Sequence, residues 1–153
     1  MQQVQDKPGK KISWPAREIL IQGITASCIF LCAYTAYAKL QDHDRFYRGL
    51  AAIAHIGDHA LMLSWSVPIT ELLIALLLIV PRTQRLGLYL FILMMCLFTL
   101  YIASMLLWAS KLPCNCGGAI EKLSWNQHLW FNLGFIALAM LAIRLKDNRK
   151  FQN

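Results

Sequence analysis

Two thiols one residue apart, Cys114 and Cys116, stand in the run Pro113-Cys114-Asn115-Cys116-Gly117-Gly118. A bond between them would close a small ring of strained geometry, and a strained disulfide is easily reduced and readily exchanged. The pair therefore suits thiol–disulfide exchange, in which a thiolate attacks a disulfide sulfur of a partner. Two other readings fit the same residues: an inert clip of the loop, or half of a metal site completed by other ligands. His55 and His59, four residues apart, would supply the other half of a Cys2His2 set. The plainer reading of each histidine is a polar residue at an interface, and no metal is expected.

The residues after the pair are suited to position it. Ser124, with Gln127 three residues on, makes a capping-box pattern that starts a helix just beyond the cysteine loop. The free N–H groups and positive dipole end of that helix would favour a nearby thiolate, and Gly117 and Gly118 permit the loop to fold back towards it. His128 and Asn132 then share one helical face. His128 would give or take a proton during exchange, or hydrogen-bond a quinone carbonyl. The competing reading makes it an interfacial histidine between Trp125 and Trp130.

The elements that carry these residues follow from composition. Of 153 residues 58% are hydrophobic and 15% charged, against roughly 25% charged in an average soluble chain. Four stretches, about 19–38, 60–80, 86–110 and 123–143, contain none of the 15 Lys and Arg residues. A helix crosses the hydrocarbon core in about 20 residues, and only a helix satisfies its own backbone there. An all-α, integral-membrane four-helix bundle at 19–144 is expected, with polar tails at 1–18 and 145–153.

The net charge of +7 sits at the ends of these stretches rather than on a basic face with interleaved readers, which argues against a nucleic-acid partner. Ten Lys and Arg residues fall on the side of both termini and five on the other, so the positive-inside rule predicts both termini in the cytoplasm and the cysteine pair outside. That compartment permits disulfides. A cleaved signal peptide is the weaker reading of the start, because a signal h-region is roughly 7 to 15 residues.

Between the first two spans, Phe46, Tyr47, Leu50, Ile53 and Ile56 recur at helical spacing among charges, which predicts an amphipathic surface helix within 39–59. Pro68 suits the first turn of the second span, which would put Glu71 at its outer end, within reach of water and of the helix dipole. Cys28 and Cys32 are one turn apart. Their helical spacing of ~5–6 Å exceeds the reach of a disulfide, so these two and Cys96 are read as small packing residues.

The run Cys114 to Gly118, with Leu123-Ser124-Trp125 and the polar stretch from Gln127-His128 to Asn132, resembles the MauE/DoxX-like redox-associated membrane proteins. Tyr34 to Lys39, Phe46 and Pro68 to Glu71 add to the likeness, which spans roughly Ile19 to Arg144. The resemblance implies a four-helix protein of the bacterial inner membrane that matures disulfide-rich envelope proteins beside a thioredoxin-like partner, Cys114 and Cys116 being the family's paired cysteines. DoxX relatives imply a link to quinone reduction.

The expected function is thus an inner-membrane thiol–disulfide redox protein. Its cysteine pair would exchange with a periplasmic thioredoxin-like protein or a secreted cysteine-containing client. By analogy with other four-helix disulfide-forming enzymes, electrons would pass on to a quinone. The alternative from another class is a noncatalytic membrane subunit or assembly factor of a larger envelope complex, with the cysteine loop as a docking feature.

Overall fold

The computed structural model describes residues 14–53, 57–108 and 125–150. Among these there are five α-helices and no strand: α1 (Trp14–Gln41), α2 (His43–Ala51), α3 (Ala60–Ile79), α4 (Gln84–Trp108) and α5 (Trp125–Lys150), with a single 3-10 turn at Gly57–His59 before α3. The four long helices are each long and apolar enough to cross a bilayer. At ~1.5 Å per residue the shortest of them, α3, is about 30 Å long, the thickness of the hydrocarbon core.

Their apolarity is not confined to one stripe. Phe30, Leu61, Leu97 and Trp130 are 58–73% exposed, which a soluble protein would not tolerate over four whole helices. In lipid the same side chains meet hydrocarbon. The chain is a multi-pass membrane protein. Polar side chains on the spans bond back to their own helix: Thr25 Oγ1 donates to the Ile21 carbonyl at 2.8 Å and Thr99 Oγ1 to the Met95 carbonyl at 2.7 Å.

The helices pack in the cyclic order α1, α3, α4, α5, each against the next and α5 back against α1. Their inner faces repeat every three or four residues. On α3 the buried positions are Ala60, Ser64, Pro68, Glu71, Ile74, Ala75 and Leu78, and on α4 they include Leu88, Phe91 and Met95. Cys28 and Cys32 are buried in this core, and they and the half-buried Cys96 are free thiols, in keeping with a packing role.

At one end of the bundle the start of α1, the α3–α4 turn and the end of α5 come together. Arg17 donates to the Leu145 carbonyl, Arg85 pairs with Asp147, and Lys146 donates to Gln84. This is the basic end. The α3–α4 turn is tight because position 87 is glycine: a Cβ there would lie 3.0 Å from the Leu78 backbone nitrogen and 3.1 Å from the Leu77 carbonyl carbon.

Two details differ from the sequence expectations. The first and last spans are longer than their charge-free runs, α1 beginning at Trp14 and α5 reaching Lys150, because long Lys and Arg side chains can extend from a helix end to polar ground. Pro68 lies inside α3 rather than in its first turn. A bilayer helix tolerates such a proline in its interior when it is packed against neighbouring helices, and Pro68 is buried in the bundle.

Candidate functional site

Moving Pro68 to mid-helix also moves Glu71. It lies about three turns from the start of α3 and two from its end, near the middle of the span and not at the outer end that the first-turn reading gave it. A lone carboxylate at that depth would be costly. The α1 stripe Cys28, Cys32, Thr35, Lys39 answers it, because its spacing of four, three and four keeps all four residues on one face. Lys39 Nζ reaches Glu71 Oε1 at 2.6 Å, with the two side chains only 12% and 2% exposed.

The ammonium group has further company. It stands 5.4 Å from the ring centre of Phe98 and 5.9 Å from that of Phe46, both within cation–π range. Glu71 is less completely served: its second oxygen, Oε2, is buried and has no hydrogen-bond partner. Unpaired buried acceptors are rare in folded proteins.

The pair borders a cavity of about 290 Å³ lined by all four long helices and α2. From α1 come Cys32, Thr35 and Lys39; from α3, Glu71; from α5, His128 and Asn132. Apart from Tyr101, the rest of the wall is apolar, with Phe91, Phe98 and Phe131 and the thioethers of Met94 and Met95. Helix α2 closes one side. Its residues Phe46, Gly49 and Leu50, spaced three and one apart, line the cavity, while Asp44 and Arg48 on its other side are exposed. His43 anchors α2 by lying against Trp65 of α3, ring centres 4.3 Å apart.

The amphipathic pattern expected over 39–59 is therefore realised as a nine-residue helix and a separate 3-10 turn. Gly57 permits the return between them, since a Cβ at that position would come 2.8 Å from the Ala51 carbonyl oxygen.

Of the residues expected from sequence to do chemistry, His128 and Asn132 line the same cavity wall, as their spacing on one helical face requires. Asn132 is buried and His128 half-buried, whereas the neighbouring Trp130 is 73% exposed on the lipid side. Cys114 and Cys116 lie outside the described residues, in the segment 109–124 between α4 and α5. So does His55, which leaves the Cys2His2 set without a described geometry. Helix α5 starts at Trp125, one residue after Ser124.

Sequence reasoning missed the Lys39–Glu71 pair. The available signal was Glu71 itself, the only acid between Ala60 and Val80, read with the start of α3 rather than with Pro68. Lys39 was counted only as a charge marking the end of the first span.

Against known families, the model described as methylamine utilisation protein MauE matches residues 17–145. No curated protein and no solved structure matches the chain. The matched residues include α3 and α4 whole, most of α1 and α5, the cavity-lining residues and the cysteine pair.

Proposed function

The chain belongs to the MauE family, and from that premise we propose that it is a thiol–disulfide redox protein of the bacterial inner membrane, working through Cys114 and Cys116 on the periplasmic side. The observation that carries this reading is the Cys-Asn-Cys-Gly-Gly run between α4 and α5 in sequence, the helix ends that it joins being those away from the basic end. Ten of the 15 basic residues belong to the side of the termini, which supports a cytoplasmic basic end and a periplasmic loop.

In this reading a client thiolate attacks one sulfur of the Cys114–Cys116 disulfide. That S–S bond breaks and a mixed disulfide forms. The client's second thiolate then attacks the mixed disulfide, so the client leaves with a new S–S bond and the pair is left as a dithiol, having accepted two electrons. The partner is a secreted cysteine-containing client or a periplasmic thioredoxin-like protein. His128, on the cavity wall at the start of α5, is proposed to carry a proton as the thiols are oxidised or reduced.

A lipid-soluble quinone would supply the two-electron sink that restores the disulfide. The cavity suits the reduced ring of such an acceptor: its walls are apolar and aromatic, and a ring hydroxyl can both donate and accept there.

The test is thiol trapping in cells with a mass-tagging reagent before and after a brief pulse of reductant. The pair should be found oxidised, become reduced, and return to the disulfide after the reductant is removed. A Cys114→Ser, Cys116→Ser protein that supports normal envelope disulfide formation would instead favour a noncatalytic subunit of a larger complex.

A further inference from the structure

The unpartnered oxygen of Glu71 and the cavity beside it together describe a ligand. We propose that this cavity is a binding site for a neutral phenol: an aromatic ring whose hydroxyl donates a hydrogen bond to the Glu71 carboxylate. Three observations define the class.

The first is charge. Lys39 and Glu71 face each other at 2.6 Å and neutralise one another. An anionic ligand would set two negative groups against one ammonium, and a cationic ligand would do the reverse, in a low-dielectric site where either imbalance is costly. The occupant is neutral.

The second is hydrogen bonding. Glu71 is 2% exposed, and its Oε2 has no hydrogen-bond partner: the nearby Thr35 hydroxyl gives its proton to its own helix, at 2.9 Å from the Leu31 carbonyl. A carboxylate oxygen can only be satisfied by a donor, so the ligand head carries an O–H or N–H rather than only carbonyl or ether oxygens. An ammonium N–H of Lys39 and the carboxamide of Asn132 are at hand for the same hydroxyl's lone pairs.

The third is shape and surface. A cavity of about 290 Å³ lined by Phe46, Phe91, Phe98 and Phe131 with Met94 and Met95 has room for one substituted ring. Aromatic and thioether groups favour a ring over an aliphatic chain, and a phenolic O–H is a stronger donor to a carboxylate than an alcohol O–H.

This inference deepens the proposed function in one respect and rests on it there: a hydroquinone, the reduced form of the proposed electron acceptor, is a phenol. The site itself involves no thiol, so it is tested without one.

The experiment uses the full chain with Cys114→Ser and Cys116→Ser in lipid nanodiscs, dialysed to equilibrium against 4-propylphenol, 4-propylanisole or 4-propylcyclohexanol, with uptake by empty nanodiscs subtracted. The expected result is saturable uptake of one 4-propylphenol per chain and none of the methyl ether, which has no donor. The cyclohexanol, which keeps the hydroxyl but lacks the aromatic ring, should bind at least tenfold more weakly.

Lys39→Met with Glu71→Leu should weaken phenol uptake at least tenfold. Leu50→Trp, which fills the cavity from α2 and leaves the ion pair in place, should do the same. Equal uptake of phenol and ether, equal uptake of phenol and cyclohexanol, undiminished uptake in the Leu50→Trp protein, or no saturable uptake at all would each overturn the assignment. Thiol cycling in the unsubstituted protein is scored separately. Cycling without phenol uptake would leave the proposed redox function standing without this site, and uptake without cycling would leave the site standing without that function.

Discussion

The two halves of the bundle solve the problem of polar groups in a membrane protein in opposite ways. At the basic end, charges stay at the helix termini and the interior is closed: Leu78, Leu88, Ala139 and Ala142 are fully buried, and Gly87 brings α3 and α4 into near-backbone contact. Arg85 and Asp147 pair there at the edge, each 37% exposed. From the middle of the bundle towards the other end, a lysine and a glutamate pair inside, beside an open cavity, with a carboxylate oxygen left over. An edge pair costs little and adds little. A buried pair carries a desolvation penalty that hydrophobic residues of the same volume would avoid, and a cavity forfeits packing contacts. The first half is therefore built for stability, and the second retains polar groups and space that stability alone does not explain.

That contrast can be broken or sharpened by substitution, and the largest effect is expected at the cysteines. Either Cys114→Ser or Cys116→Ser alone should abolish disulfide cycling, read as loss of the change in mass-tagging across a reductant pulse, the remaining thiol of the pair being tagged before and after it, while the unfolding midpoint of the purified protein stays unchanged. A cycling single variant would remove the chemistry from the pair.

Next in size is the buried ion pair. Glu71→Leu or Lys39→Met alone leaves an uncompensated charge and should cost about 3–5 kcal/mol. The double substitution should recover most of that loss, because replacing both partners removes the penalty with the attraction. Denaturant unfolding in detergent, run as a double-mutant cycle, measures the coupling. Single losses that simply add would mean that the two groups do not interact.

Gly87→Val tests the closed half. Its added atoms must enter the space of the α3 backbone, and overpacking of this kind typically costs about 1–3 kcal/mol. The same assay should show it to be less damaging than loss of one ion-pair partner. The smallest effect belongs to Arg85→Ala or Asp147→Ala, expected below about 1 kcal/mol and fading further in high salt. An Arg85→Ala loss as large as that of Lys39→Met would erase the distinction between the two halves.

The spans were legible because lipid imposes a simple rule: a charge-free run of about 20 residues is a helix. The pairing of His128 with Asn132 was legible for the same kind of reason, since residues four apart on a helix share a face whatever surrounds them. Glu71 was misplaced because proline usually starts a helix in water, while in a bilayer bundle it can sit in the interior. Lys39 was read by its position at the end of a charge-free run, but a flexible four-carbon stem allows an end residue to place its ammonium on an inner face. The contact it makes there joins residues 32 positions apart on two helices, and no local periodicity encodes that. Helix α2 was legible in its spacing but not in its length, which is set by the return at Gly57 against Ala51.

The proposed chemistry requires that the cysteine pair be reachable from the periplasm and able to open. It is tested most directly by labelling spheroplasts with a membrane-impermeant maleimide, using protein in which Cys28, Cys32 and Cys96 are replaced by alanine. A second variant that also lacks the pair and carries Gln152→Cys serves as the inner-face control. The result expected is that Cys114 and Cys116 take the label only after a brief reductant treatment and without permeabilisation, whereas the control cysteine requires permeabilisation. Labelling of the pair only once the reagent reaches the side of the control, or resistance to reductant and label on both sides, would contradict it.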